Sequence, residues 1–413
     1  MARSVLHTPA VPSPTPRTDD FLLGRGQFPS TPGLELLAVG LVLGSFLVAS
    51  TPSLGHGLVW DDLHFLDPER GSLWRRGWLR EIWLRPMWWA REQGVVPPYY
   101  RPLGLTMLRL EGSPAVSHLV QVGLHGLNVG LVVRLARTLG ADRLPALVAG
   151  GLFAVHPANV EVYSWLSARG DALGTTLALA GLLVLRLGRE GPGRQVTFGA
   201  LVFLALLAKE SFVVLPLVGA LVVGSRGPLL SGGVALLLWG GVFAVALETG
   251  GVVGGAPDVR HLPHGLLQVP FLLFGPTGRT AGYLPGQLPA HWLSVWVSLV
   301  VAWVWTGWSL GSREGRRDLG AVLIAFAPAL LPLLVLGGRS GDRYAYFPLA
   351  LLLAGVAARV QWPEGVQRKR LLALGVLILW VLGAAGARSQ AAKWADPQLR
   401  DLRPGGVVVS GSR

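Results

Sequence analysis

Long apolar runs separated by short polar breaks occupy most of this chain. Runs long enough, or nearly long enough, to cross ~30 Å of hydrocarbon lie near 33–51, 115–136, 144–162, 171–187, 195–208, 211–225, 229–247, 292–311, 319–336, 347–361 and 371–387. The pattern predicts an all-α polytopic membrane protein with about eleven transmembrane helices. One further apolar stretch, 265–285, is broken by Pro270, Gly275 and Pro276. A full crossing there would invert every later loop, so a re-entrant or interfacial segment is expected.

Composition supports that class. Hydrophobic residues make up 51% of the 413 positions and charged residues 14%, against about 25% charged in a soluble domain, and the mean hydropathy is +0.49. The formal charge of +13 does not mark a nucleic-acid binder, because the 36 cationic side chains are scattered between apolar runs rather than gathered on one face. The chain has no cysteine, which excludes disulfides, a thiolate nucleophile and cysteine metal sites.

The loop cations set an expected orientation. Arg134 to Arg143, Arg186 to Arg194, Arg226, Arg313 to Arg317 and Arg368-Lys369-Arg370 hold most of the charge and alternate with cation-poorer loops. By the positive-inside rule the basic set faces the cytoplasm, with the N-terminus inside and the C-terminus outside. The first external loop, 52–101, carries seven arginines against six acids, but long loops translocate largely regardless of charge. Residues 1–32, rich in Pro, Ser and Thr, read as a disordered tail, 33–387 as the membrane domain, and 388–413 as a short external tail. Val48-Ala49-Ser50 offers the small residues of a cleavage site, yet the 19-residue run before it exceeds a usual signal core, so a retained helix is expected.

Within the first loop, Trp74, Trp78, Trp83, Trp88 and Trp89 are interleaved with Arg75, Arg76, Arg80, Arg85 and Arg91. Trp74, Trp78 and Ile82 fall at helical spacing on one side, and Arg75, Arg76 and Arg80 largely on another. That division predicts a partly helical loop lying in the headgroup plane, its arginines toward anionic lipid.

The candidate chemistry begins at Trp60-Asp61-Asp62. Neighbouring carboxylates repel and are costly beside a bilayer unless a cationic group meets them. Polar residues then recur at the predicted outer ends of the spans: Tyr99-Tyr100-Arg101-Pro102, His156 to Glu161, Trp165 with Arg169-Gly170-Asp171, Lys209-Glu210-Ser211, and Gly341-Asp342-Arg343-Tyr344. Taken singly, Lys209 and Glu210 read as a local ion pair in a turn, and Asp171 as a first-turn acid at a helix start. His118 and His125, seven apart on one helix face with Asn128 below them, read as packing or hydrogen-bonding residues rather than metal ligands. Taken together, they suggest a polar cavity opening outward. Carboxylates with converging arginine and lysine suit transfer from a lipid-linked phosphosugar: an acid accepts a hydroxyl proton while cations hold the departing phosphate. No phosphate loop or dinucleotide fingerprint is present in the sequence, in keeping with a reaction on the external face.

At these residues the sequence resembles a known family. The order Trp60-Asp61-Asp62, Tyr100-Arg101-Pro102-Leu103, HLVQVGLHGLN from His118, HPANVEVYSWLSARGDAL from His156, LALLAKESFVVLP from Leu204 and GDRYAYFP from Gly341 is similar to the membrane half of the transmembrane and tetratricopeptide-repeat O-mannosyltransferases and their bacterial relatives. Those proteins are members of the GT-C superfamily of polyprenyl-phosphate-sugar-dependent glycosyltransferases. The likeness spans about 33–395 and includes Trp394. It implies a polyprenyl-phosphate sugar donor and a protein or lipid hydroxyl acceptor, with membrane lipids as surroundings. From the residues themselves no nucleic-acid partner, no cofactor and no metal are expected; a divalent ion on Asp61 and Asp62 is the alternative, disfavoured because two adjacent acids have no further ligands at clear spacing. The likeness further implies Asp61 or Asp62 as the base of an inverting displacement and Arg101, Arg169, Lys209 and Arg343 as ligands of the donor phosphate. His156, Glu161, Asp171, Glu210, Asp342 and Tyr344 would bind sugar or orient the cations. The expected location is a bacterial inner membrane, with the site on the periplasmic or external face. The family's tetratricopeptide repeats have no counterpart in the sequence. A transporter or flippase of an anionic polyprenyl lipid, or a non-catalytic scaffold, are the competing readings; the former would show repeated halves, and none are visible.

Overall fold

The computed structural model describes residues 32–67, 69, 71–87, 99–250, 330–331, 342–359 and 366–394. The rest of the chain lies outside the described residues. With it lie most of the expected N- and C-terminal tails, the stretch 265–285, the span near 292–311, most of the span near 319–336, and Trp88, Trp89 and Arg91.

The described chain is 86% helical, with no strand. The helices are α1 (Pro32–Ser50), α2 (Asp61–Leu66), α3 (Trp78–Leu84), α4 (Pro102–Glu111), α5 (Pro114–Thr138), α6 (Arg143–Val155), α7 (Val160–Ser164), α8 (Arg169–Leu187), α9 (Pro192–Ala208), α10 (Leu215–Val223), α11 (Gly227–Gly250), α12 (Tyr346–Ala357) and α13 (Val366–Trp394). Proline opens several of them, where its missing N–H costs nothing. Ser113 caps α5 by accepting from Val116 N at 3.3 Å.

Among the described residues, five stretches are long and apolar enough to cross a membrane: Pro32–Gly55, Pro114–Thr138, Leu166–Leu187, Gly227–Glu248 and Ala373–Ala392. Arg143–Val155, Pro192–Ala208 and Glu210–Val223 are apolar but shorter. The expectation of eleven full spans is therefore met only in part among the described residues, and the reason is local. The run near 144–162 stops at Val155 because His156 precedes Pro157 and takes an extended backbone, φ −68° and ψ 125°, as residues before proline do. The run near 211–225 starts as a 3-10 turn, Glu210–Val214, after Lys209, which is extended at φ −163°.

The bundle is layered from the inside out. The stretch containing α8 has 67% of its apolar window buried, α5 44%, and α1, α11 and α13 only 17–22%. Helix α8 packs on α5 and α9, α9 on α11, and α6 on α1 and α5. The outer helices turn leucines outward, Leu36 on α1 and Leu230 and Leu237 on α11 being 73%, 75% and 79% exposed. An apolar exterior around a better-packed interior is what a hydrocarbon solvent selects.

The first loop corrects one expectation. Trp74, Trp78 and Ile82 do share a side, but that side faces protein: they join Phe65, Leu66, Leu73, Leu105, Leu108 and Leu166 in a satellite core. The Arg109 guanidinium sits 4.6 Å from the Trp74 ring and 5.3 Å from that of Trp78. Arg75, Arg76 and Arg80 remain exposed. Helix α4 thus takes the apolar face that the sequence alone would assign to lipid.

Candidate functional site

Helix direction sorts the polar residues by end. The C-terminal ends of α1, α6, α9 and α13 and the N-terminal ends of α5, α8, α10 and α12 lie together, and at that end stand Asp61-Asp62, His118, His156 to Trp165, Arg169, Asp171, Lys209-Glu210 and Asp342 to Tyr344. The opposite end holds arginines. Arg143 pairs with Glu35 at 2.9 Å, Arg186 donates to Thr138 O at 2.8 Å, and Arg194 donates to Leu185 O at 3.2 Å.

Three cations converge around Tyr344. Lys209 Nζ lies 4.0 Å from the centre of its ring, and the Arg343 guanidinium 5.0 Å from it. Arg101 contributes a third charge, held 4.5 Å over the Tyr99 ring. Each cation has an acidic partner. Arg101 grips Glu210 with both Nε, at 2.9 Å, and Nη2. Lys209 donates to Asp171 Oδ1 at 2.5 Å. Arg343 donates to Glu161 through Nη1 and, at 3.1 Å, through its backbone N–H. Lys209 is fully buried. Burial pushes its pKa down to about 8, with Asp171 pulling it up and the Arg101 and Arg343 charges adding to the depression. Its approach to Asp171 depends on Gly170: a Cβ there would lie 2.5 Å from Ala208 O, so only glycine lets the start of α8 meet the end of α9 this closely.

The pairing differs from the local one expected between Lys209 and Glu210. With Lys209 extended, neighbouring side chains point apart, and each finds a distant partner instead. Asp171, Thr175, Ser211, Phe212, Arg343, Tyr344, Phe347 and Pro348 line a cleft of about 20 Å³ beside these pairs, roughly the room one water requires. Asp342 is buried, 2% exposed, at the start of the turn preceding α12. His156 caps the turn before α7, accepting from Ala158 N through Nδ1 at 3.2 Å.

Arg169 stands apart from this group. It is 1% exposed and its donors go to Glu111, with Nη2–Oε2 at 3.0 Å, to Gln121, and to Ser117 O at 2.9 Å. The geometry is that of an internal tie between α4, α5 and α8.

The two adjacent acids have different surroundings. Asp62 is fully buried. Its Oδ1 accepts from Ser167 N at 2.8 Å and Ser167 Oγ at 2.6 Å, and Oδ2 accepts a long 3.5 Å bond from Val59 N. Burial raises the Asp62 pKa to about 7; the Ser167 bonds oppose this and the Asp61 charge adds to it. Asp61 is half-buried at the first turn of α2. Trp60, just before it, joins the acids to the cation cluster: its ring meets the edge of Trp165 at 5.6 Å, and Arg343 lies 4.7 Å over Trp165.

Ser167, Glu111 and Gln121 are not among the site residues expected from sequence, and only the dense polar run from His156 to Asp171 hints at Ser167. Trp165 stands in that run, but the sequence assigns it no role. His125 behaves as a hydrogen-bonding residue, linked to Tyr346 Oη at 2.8 Å and Ala154 O at 3.1 Å. Asn128 also donates to Tyr346 Oη, at 3.2 Å. His118 packs edge-on against His56 with ring centres 6.1 Å apart. Among the described residues no three His, Asp or Glu side chains converge as metal ligands would.

Part of the chain is homologous to two curated proteins of Drosophila melanogaster. It is 34% identical to protein O-mannosyl-transferase Tmtc2 over 193 residues, 42% of this chain and 20% of that protein. To protein O-mannosyl-transferase Tmtc1 it is 38% identical over 122 residues, 28% of this chain and 14% of that protein. The matched stretches thus span a fifth or less of these relatives' own length. No protein-family model matches the chain, and no solved structure does.

Proposed function

We propose that this protein is an integral-membrane, GT-C-type glycosyltransferase that moves a hexose such as mannose from a polyprenyl-phosphate carrier to a hydroxyl on protein or lipid at the external face. The observation that carries the proposal is the meeting of Arg101, Lys209 and Arg343, from three separate breaks in the helical bundle, around Tyr344 at the end where Asp61 stands. The homology to protein O-mannosyl-transferases supports the sugar and the hydroxyl acceptor.

In this reading Asp61 is the base. A base must come within hydrogen-bond reach of the proton it takes, and Asp61 is the half-exposed member of the pair. Asp62, enclosed and bonded twice by Ser167, anchors the turn that presents it. Asp61 accepts the acceptor's hydroxyl proton, and the freed oxygen attacks the anomeric carbon from the face opposite the phosphate. The bond from that carbon to the phosphate oxygen breaks, and its electron pair leaves with the lipid phosphate, so the anomeric configuration inverts. Arg101, Lys209 and Arg343 receive the leaving charge where charge-assisted bonds are strongest. Because each cation is already paired with an acid, headgroup entry exchanges partners: the phosphate displaces Glu210, Asp171 or Glu161 and opens the water-sized cleft. Arg169 holds α8 in place and does not touch the donor. The cations are the chain's own, and no divalent ion enters the scheme. In this reading the Arg143 and Arg186 end faces the cytoplasm by the positive-inside rule, which puts the cation cluster at the external face.

Purified protein incubated with a polyprenyl-phosphate hexose and a serine- and threonine-bearing peptide should yield a glycosylated peptide by mass spectrometry. Asp61→Asn should abolish the product, and Asp62→Asn should retain a measurable fraction. Equal turnover in wild type and Asp61→Asn would refute the assignment.

A further inference from the structure

Trp394 closes the last helix at the end of the molecule where the first loop begins. We infer that Trp394 is a positioning residue that acts through Trp60 to fix the backbone presenting Asp61, an inference that rests on the assignment of Asp61 as the base. Trp60 is the single non-glycine residue with positive φ among the described residues, at φ 47° and ψ −114°. A side chain in that region is strained, and such strain persists only where the surroundings enforce it.

The enforcing contacts are aromatic. Trp60 is 8% exposed, with its ring edge-on to Trp165 at 5.6 Å and to Trp394 at 5.0 Å. Trp165 and Trp394 in turn stack at 6.0 Å with their planes 21° apart. Two such ring contacts are comparable in strength with the backbone strain they oppose, so losing one tips the balance. The indole N–H groups of Trp165 and Trp394 have no hydrogen-bond partner among the described residues. Ring packing therefore holds the trio, and a phenyl ring can stand in for the indole.

Trp394 is itself fixed by the helix that carries it. Trp380, on the same helix, fills a notch at Gly151 of α6, where an added Cβ would lie 1.8 Å from its ring. Its Nε1 donates to Ser45 Oγ of α1 at 2.9 Å. Further along, Ala387 and Ala391 are fully buried. Helix α13 is thus a strut running from α1 and α6 to the catalytic loop. At its tip, Trp394 holds the residue immediately before Asp61, and the first turn of α2 is closed by Asp62 N to Val59 O at 2.9 Å and Leu63 N to Trp60 O at 3.1 Å. If Trp60 relaxes, that turn re-aims.

The test compares Trp394→Ala and Trp394→Phe in the full-length protein. A misplacement of about 1 Å at a catalytic group costs about 100-fold, so kcat in Trp394→Ala should fall by about that factor while KM for the polyprenyl-phosphate sugar stays within about twofold. Trp394→Phe should recover most of the loss. Independently of activity, amide hydrogen exchange in the segment 59–66 should quicken about tenfold in Trp394→Ala, with α8 unchanged, as local opening without global unfolding requires. Unchanged exchange and kcat would overturn the inference, as would exchange rising throughout the bundle or Trp394→Phe proving no better than alanine. Wild-type protein that transfers no sugar would sink the functional proposal, while the exchange measurement would still judge Trp394.

Discussion

Replacing Asp62 by Asn gives a stability effect whose sign depends on pH, and its size follows from the site. The Asp62 carboxyl lies fully buried, with its pKa raised from 3.8 to about 7. Because the folded value is the higher, the folded chain binds more protons than the unfolded chain between those limits, and stability falls as pH rises through the window. At pH 8 the charged carboxylate costs about 4 kcal/mol relative to the unfolded chain, at 1.36 kcal/mol for each tenfold. Asparagine removes this cost. Its Oδ1 keeps both Ser167 bonds, while its amide nitrogen turns a donor toward the Val59 N–H, a loss of about 1 kcal/mol. Asp62→Asn should therefore be less stable than wild type by about 1 kcal/mol at about pH 3, below the unfolded pKa, and more stable by about 3 kcal/mol at pH 8. Apparent Tm values in detergent, taken at one scan rate because membrane-protein unfolding is rarely reversible, should cross between these pH values. A variant destabilised equally at both would refute the reasoning, showing that Asp62 is held as a stabilised carboxylate.

Other consequences can be checked separately. KM for the polyprenyl-phosphate donor should rise above pH 8 as Lys209, with its pKa depressed to about 8, loses its charge; in Lys209→Met it should be high and flat with pH, and a wild-type KM constant to pH 9.5 would contradict this. Gly151→Ala should destabilise by about 1–3 kcal/mol through overpacking against Trp380, and Trp380→Leu in the same chain should relieve most of it, as thermal unfolding would report. Arg169→Ala leaves Glu111 unpartnered in the interior and should cost about 3–5 kcal/mol. Whatever protein folds should keep its donor KM, and a raised KM would return Arg169 to the phosphate site.

Much of the architecture is legible in the pattern of apolar runs. The described runs appear as helices near their expected places, because in hydrocarbon a helix alone satisfies its own backbone. Their lengths were less legible: His156-Pro157 and extended Lys209 cut two runs short, and backbone breaks of that kind are set by what they position. The gathering of polar residues at one end follows from alternating helix direction and is readable without coordinates. Who pairs with whom is not. Lys209 and Glu210 are adjacent, yet they bind Asp171 and Arg101, 38 and 109 positions away. Arg169 resembles the other cations in sequence context, and only its enclosure by Glu111, Gln121 and Ser117 O separates it from them. The apolar side of the first loop is visible as a stripe, but a stripe does not say whether lipid or α4 covers it.

The claim on which the account turns is that one lipid phosphate is held jointly by Arg101, Lys209 and Arg343. Native mass spectrometry of polyprenyl phosphate binding tests it most directly. Arg101→Ala, Lys209→Met and Arg343→Ala should each weaken binding by at least about tenfold, the 1.5–3 kcal/mol of a charge-assisted bond, while Arg186→Ala, at the opposite end, should leave it unchanged. Binding that is insensitive to the three substitutions, or as sensitive to Arg186 as to them, would contradict the account.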